Sequence, residues 1–187
     1  MYQGDSYSLM ADYNAWMNRK LYQAAAGLPD GARKRDLGAF FKSLHGTLNH
    51  ILLIDLMILA RFAEQPLPST GLDEDLHDDF AALRAEREAT DARILDWIAN
   101  LDRGGLGETL TFKSVIDGVT RSLPRWVMVT QMFNHQTHHR GQATTLLKQL
   151  GVDPGVTDIP WLPALYSEAG LLVRPAGANE RTAPWSS

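Results

Sequence analysis

A chain of 187 residues, 44% hydrophobic and 21% charged, has the size and make-up of one soluble globular domain with a substantial core. A net charge of −4, with no basic stripe carrying interleaved aromatics, argues against a nucleic-acid partner bound through its phosphates. The absence of cysteine excludes disulfides and a nucleophilic thiol of the protein's own, and the first residues lack the basic and apolar regions of a secretory signal. The most apolar run, Ile51 to Ala60, is too short to span a bilayer and carries Asp55, so a cytoplasmic protein with no membrane partner is expected.

The hydrophobic pattern reads helical nearly throughout. A first helix is expected from about Ser6 to Gly27, with Leu9, Tyr13, Trp16, Met17 and Leu21 as its apolar stripe and Leu28-Pro29-Asp30-Gly31 as its stop. A second is expected from Asp36 to Ala63, with Phe40, Leu44, Leu48, Ile51, Ile58 and Phe62 at helical spacing. Pro66 and Pro68 mark the loop after it. A third, from Asp73 to Leu101, has an apolar face of Leu76, Phe80, Leu83, Ile94, Leu95 and Ile98 and a charged middle expected to be solvated. After the glycines at 104, 105 and 107, Thr109 to Phe112 reads as a short extended piece. A fourth helix starts near Pro124, a residue suited to a first turn, and runs to Leu150. The proline-rich remainder reads as a short helix around Ile159 to Glu168 and then a tail. The expectation is an all-α four-helix bundle over residues 1–168 with a C-terminal tail over 169–187.

Three of the six histidines lie within Asn134-His-Gln-Thr-His-His-Arg-Gly-Gln142. His135 and His139, at i and i+4, present both imidazoles on one helix face. That pair suits a divalent cation with Zn–N bonds of about 2.0–2.1 Å. His50 is the best third donor. It lies fourteen residues past the expected start of the second helix, about 21 Å along it, so all three histidines sit near mid-helix. His138 points about 100° away from His139 and is read as an outer residue; His45 and His77 are read as facing elsewhere and solvated, respectively. Gln131, Asn134, Arg140 and Gln142 are candidates to orient the ligands or line a pocket, with Trp126 and Trp161 at its mouth. Gln136 stands where a His-Glu-x-x-His metallopeptidase needs its general base, and an amide cannot serve. No phosphate-binding glycine loop or nucleophile elbow is present.

These residues resemble the DinB (damage-inducible) family of DinB/YfiT-like metalloproteins. The stretch from Asn134 to Gln142 is similar to the family signature, Leu44-His-Gly-Thr-Leu-Asn-His50 through Asp55 to its second-helix motif, Tyr13-Asn14-Ala15-Trp16 to its first-helix motif, and Gly151-Val152-Asp153-Pro154 through Asp158 to the loop after its last long helix. The resemblance spans roughly residues 6 to 165. It implies a four-helix bundle, a homodimer, and a divalent-metal site, zinc or nickel, held by His50, His135 and His139. Distant relatives include transferases that use mycothiol or bacillithiol and a maleylpyruvate isomerase. Three protein donors leave a fourth position open, as in catalytic zinc sites. Water there becomes a nucleophile near neutral pH, and a small thiol is held as thiolate, which suits a protein without cysteine. Two functions stay open: a metal-dependent enzyme of the thiol S-transferase or detoxification type acting on a low-molecular-weight thiol or other small molecule, and a non-catalytic metal-binding stress-response protein.

Overall fold

The computed structural model describes Tyr2 and residues 5–167; the expected tail, 169–187, lies outside them. The chain folds as α1 (Ser6–Ala26), α2 (Asp30–Arg33), α3 (Leu44–Phe62), α4 (Phe80–Ala99), β1 (Thr109–Lys113), β2 (Thr120–Pro124), α5 (Arg125–Gln149) and α6 (Ala164–Ser167), with 3-10 turns at Gly104–Gly107 and Ile159–Trp161. The four long helices make this an all-α fold. None of the described helices is long and apolar enough to cross a membrane.

Local chemistry sets the helix ends. The Asp5 carboxylate takes the Tyr7 and Ser8 amides at the start of α1, Ser43 Oγ takes the Gly46 amide at the start of α3, and Asp79 takes the Ala82 amide at the start of α4. Each relieves an amide that has no carbonyl partner inside its own helix. Gly151, at φ 79°, reverses the chain after α5, and the Val152 amide returns to the Leu147 carbonyl at 2.9 Å.

These caps correct two expected boundaries. Residues 36–43 are not the first turns of α3. Lys42 has φ 63°, which no α-helix tolerates, and the Leu37 amide bonds the Lys42 carbonyl to close a tight turn. Phe40, expected in the apolar stripe, is 83% exposed. Residues 73–79 likewise stay out of α4, because side chains of α3 hold them: Asn49 accepts the His77 amide, and Asn49 and His45 both donate to the His77 carbonyl. His45 is therefore a buried loop anchor, and His77 is a half-exposed loop residue rather than a helix start. The extended piece at 109 is real but is half of a hairpin: β1 pairs antiparallel with β2, Thr109 opposite Pro124.

Helix α1 packs against α4 and α5, and α3 packs against the same two, so α1 and α3 occupy opposite corners of the bundle. One core cluster joins Leu21, Leu44, Leu48, Leu52, Leu83 and Leu147 across all four helices, and a second gathers around Ile58, Ile94, Val129 and Phe133. Between them lies a polar layer the charge pattern did not announce. The charged middle of α4 is not solvated. Arg87 is 1% exposed, with Nη1 2.6 Å from Asp55 of α3 and Nη2 2.8 Å from Asp91 of its own helix. Asn14 and Asn18 of α1 donate to the same Asp91 carboxylate at 3.1 and 2.8 Å.

Candidate metal centre

His50 lies six residues into α3, about 9 Å along it, and not at mid-helix. The convergence survives because α5 is long enough to set its middle against the start of α3. His135 and His139, one turn apart on α5, face His50. The ring centroids lie 4.9 Å (50–135), 4.6 Å (50–139) and 4.3 Å (135–139) apart. One nitrogen from each ring falls within 4.8 Å of the other two, a group able to hold a metal ion.

Neighbouring groups decide which nitrogens face inward. Nδ1 of His50 donates to the Leu72 carbonyl at 2.7 Å, and Nδ1 of His139 donates to Oε1 of Gln142 at 2.7 Å. Both contacts fix the tautomer that leaves Nε2 as a lone-pair donor. Nε2 of His135 lies 3.0 Å from Nε2 of His50, close to the roughly 3.3 Å edge of a tetrahedron built on bonds of about 2.0–2.1 Å. The Nδ1 atom of His135 is buried without a hydrogen-bond partner, so packing alone orients that ring.

The rings are also in the right charge state. Burial pushes His50 down to about 4, and burial followed by repulsion from His139, His50 and His138 pushes His135 down to about 3. Burial lowers His139 as well. All three are neutral at pH 7, as a metal ligand must be. The donor set of three neutral imidazoles therefore fits a divalent cation, and among the described residues no carboxylate joins the group.

The other expected site residues divide. Gln142 touches the centre through His139. His138 is exposed, as expected of an outer residue, with its ring edge-on to His139 and its Nε2 3.4 Å from the Gln142 amide nitrogen. Gln131 and Asn134 are exposed and make no hydrogen bond to the imidazoles. Arg140 is not at the centre. One residue beyond His139, it turns into the bundle, bonds Asn14 Oδ1 and lies over the Tyr13 ring at 5.2 Å. Burial lowers its guanidinium to about 10. Gln136 is wholly buried and Asp55 is committed to Arg87, so neither reaches the histidines as a base. Trp126 and Trp161 are each about half exposed.

Sequence reasoning missed Leu72 and Phe41. A backbone carbonyl in a loop leaves no sequence signal. Phe41 falls within the expected second helix, whereas its ring lies flat on His50, 3.8 Å between centroids, and edge-on to His139 at 5.5 Å. Gly46 hints at this, since a Cβ there would collide with the Phe41 carbonyl.

A helical bundle with three imidazoles converging between two facing helices has the arrangement from which bundle metal sites are built. Among such bundles the match is specific: the model of the DinB family covers residues 1–170, and the chain belongs to that family. It is similar to the protein named DinB of Bacillus subtilis (strain 168), 22% identical over 160 residues that cover 79% of this chain and 87% of that protein.

Proposed function

We propose that His50, His135 and His139 bind a divalent metal ion, zinc or nickel, and that the protein is a metal-dependent enzyme of the thiol S-transferase or detoxification type. The observation that carries this is the convergence of three neutral imidazoles, two of them held by outer hydrogen bonds, on one point. An ion held by these three residues would supply a Lewis acid that favours the thiolate form of a small thiol. The protein's own part is to keep the rings neutral by burial, to aim Nε2 inward through Leu72 and Gln142, and to shield one side of the centre with Phe41. The family name DinB, borne also by the Bacillus protein, says nothing of a substrate.

A non-catalytic metal-binding stress-response protein is the second reading. It is favoured by the low exposure of two of the three donors, 6% for His50 and 9% for His139. One experiment separates the two. Elemental analysis of the purified protein is expected to give one zinc or nickel per chain, lost in His135→Ala. Thermal-shift titration of the loaded protein with mycothiol, bacillithiol and glutathione is then expected to stabilise it with one of them. Metal without any thiol response supports the second reading. Native protein with no more metal than the variant overturns both.

A further inference from the structure

The turn before α3 carries two adjacent aromatics, and core packing accounts for neither. Its backbone is tightly held: the Lys42 amide donates to Ala39 at 2.8 Å, the Leu37 amide to Lys42 at 2.8 Å, and the Gly38 amide to the Asp36 carboxylate at 2.9 Å. Lys42 takes a positive φ that a lysine rarely adopts, and Gly46 lacks the Cβ that would strike the Phe41 carbonyl. The outcome is that Phe41 lies flat on His50. Phe40 then meets Phe41 edge-on, 4.8 Å between centroids at 70°, with most of its own ring left to solvent. A single exposed phenylalanine needs no explanation. One that extends an aromatic surface starting at a donor imidazole, on a turn whose backbone is held in a strained form, adds exposed apolar area beside the centre.

The charge of the centre says what kind of donor that is. Three neutral imidazoles leave both charges of a divalent ion uncompensated, so an anionic donor such as a thiolate is favoured at the open position. We propose that Phe40 and Phe41 are specificity-determining residues, forming the apolar wall of a substrate site that selects a small molecule carrying an aryl group next to a thiol. This rests on the metal-centre reading above and adds the class of substrate to it.

The test uses the full-length protein loaded with cobalt(II), whose sulfur-to-metal charge-transfer band reports thiol binding without any turnover. Native protein and Phe40→Ala are each titrated with benzyl mercaptan and with ethanethiol. Comparing the affinity ratio between the two proteins cancels the difference in thiol acidity. Phe40→Ala is expected to take up cobalt and bind ethanethiol as the native protein does, while its preference for benzyl mercaptan falls roughly fivefold, the scale of one aromatic pair. An unchanged ratio overturns the proposal, including the case in which the substitution alters only the mass in solution, which would make this face a contact between copies. Cobalt uptake without a sulfur band in native protein also overturns it and leaves the metal centre standing. A native protein that takes up no cobalt removes the metal centre and the wall together.

Discussion

At the scale of single residues the centre depends on which nitrogen of each imidazole faces inward. Gln142 sets this for His139 through one 2.7 Å hydrogen bond, and the His138 ring receives the other end of the amide. Outer partners of this kind are typically worth 10–100-fold in metal affinity. Gln142→Ala is therefore expected to weaken zinc binding by about that factor in competition with a chromophoric chelator, while Gln142→Glu keeps the acceptor and the affinity. Equal zinc affinity for native protein and Gln142→Ala would show that packing orients His139 without help. The same scale shows what was legible. His135 and His139 could be paired from the sequence because helical phase is a local property. Arg140 lies apart from the centre for a related reason: one residue of phase, about 100°, separates a side chain facing the centre from one buried against Asn14 and Tyr13, and only the packed neighbours say which direction is inward.

At the scale of elements the informative helix is α4. Its charges look like a solvated face, yet Arg87 neutralises Asp55 and Asp91 in the interior. Burial raises both carboxyls and the Arg87 guanidinium works against that rise. Arg87→Met strands two buried carboxylates and is expected to cost about 3–5 kcal/mol in urea unfolding at pH 7. Adding Asp55→Leu and Asp91→Leu should recover part of that loss, since the two carboxyls no longer need a counter-ion, although Asn14 and Asn18 lose their acceptor on Asp91. Failure of the triple variant to recover would mean that the ion cluster stabilises the bundle beyond its own neutralisation. Helix α4 is shorter than its periodicity predicts for a tertiary reason as well. Residues 73–79 have helical periodicity, but hydrogen bonds from His45, Asn49 and His50 on α3 claim the backbone at Leu72 and His77.

At the scale of the whole molecule, burying titratable rings couples the centre to stability. The folded pKa values of His50 and His135, about 4 and 3, lie below the ordinary 6.5. The folded metal-free protein thus binds fewer protons than the unfolded chain. The stability tied to these rings is fully present above pH 6.5 and is lost as pH falls from there toward 4 and then 3. Asp55 and Asp91, raised by burial, act in the opposite direction as pH rises above the ordinary carboxylate range. The histidine contribution is isolated by difference: in chelator-treated protein, urea midpoints between pH 7.5 and 5 should fall more steeply for native protein than for His135→Leu. Parallel curves would mean that the rings titrate alike in both states.

The sequence alone determined what is local: four long helices, their apolar faces, the last helix's stop before Gly151, and two histidines one turn apart. Periodicity and phase need no knowledge of neighbours. Tertiary structure decided the rest: that α1 and α3 sit at opposite corners, that His50 meets the pair from the start of its helix rather than the middle, that a loop carbonyl and a strained turn complete the surroundings, and that the charges of α4 lie inside. Each of these is a contact between segments far apart in the chain, where hydrogen bonds and burial override the local preference of the residues involved.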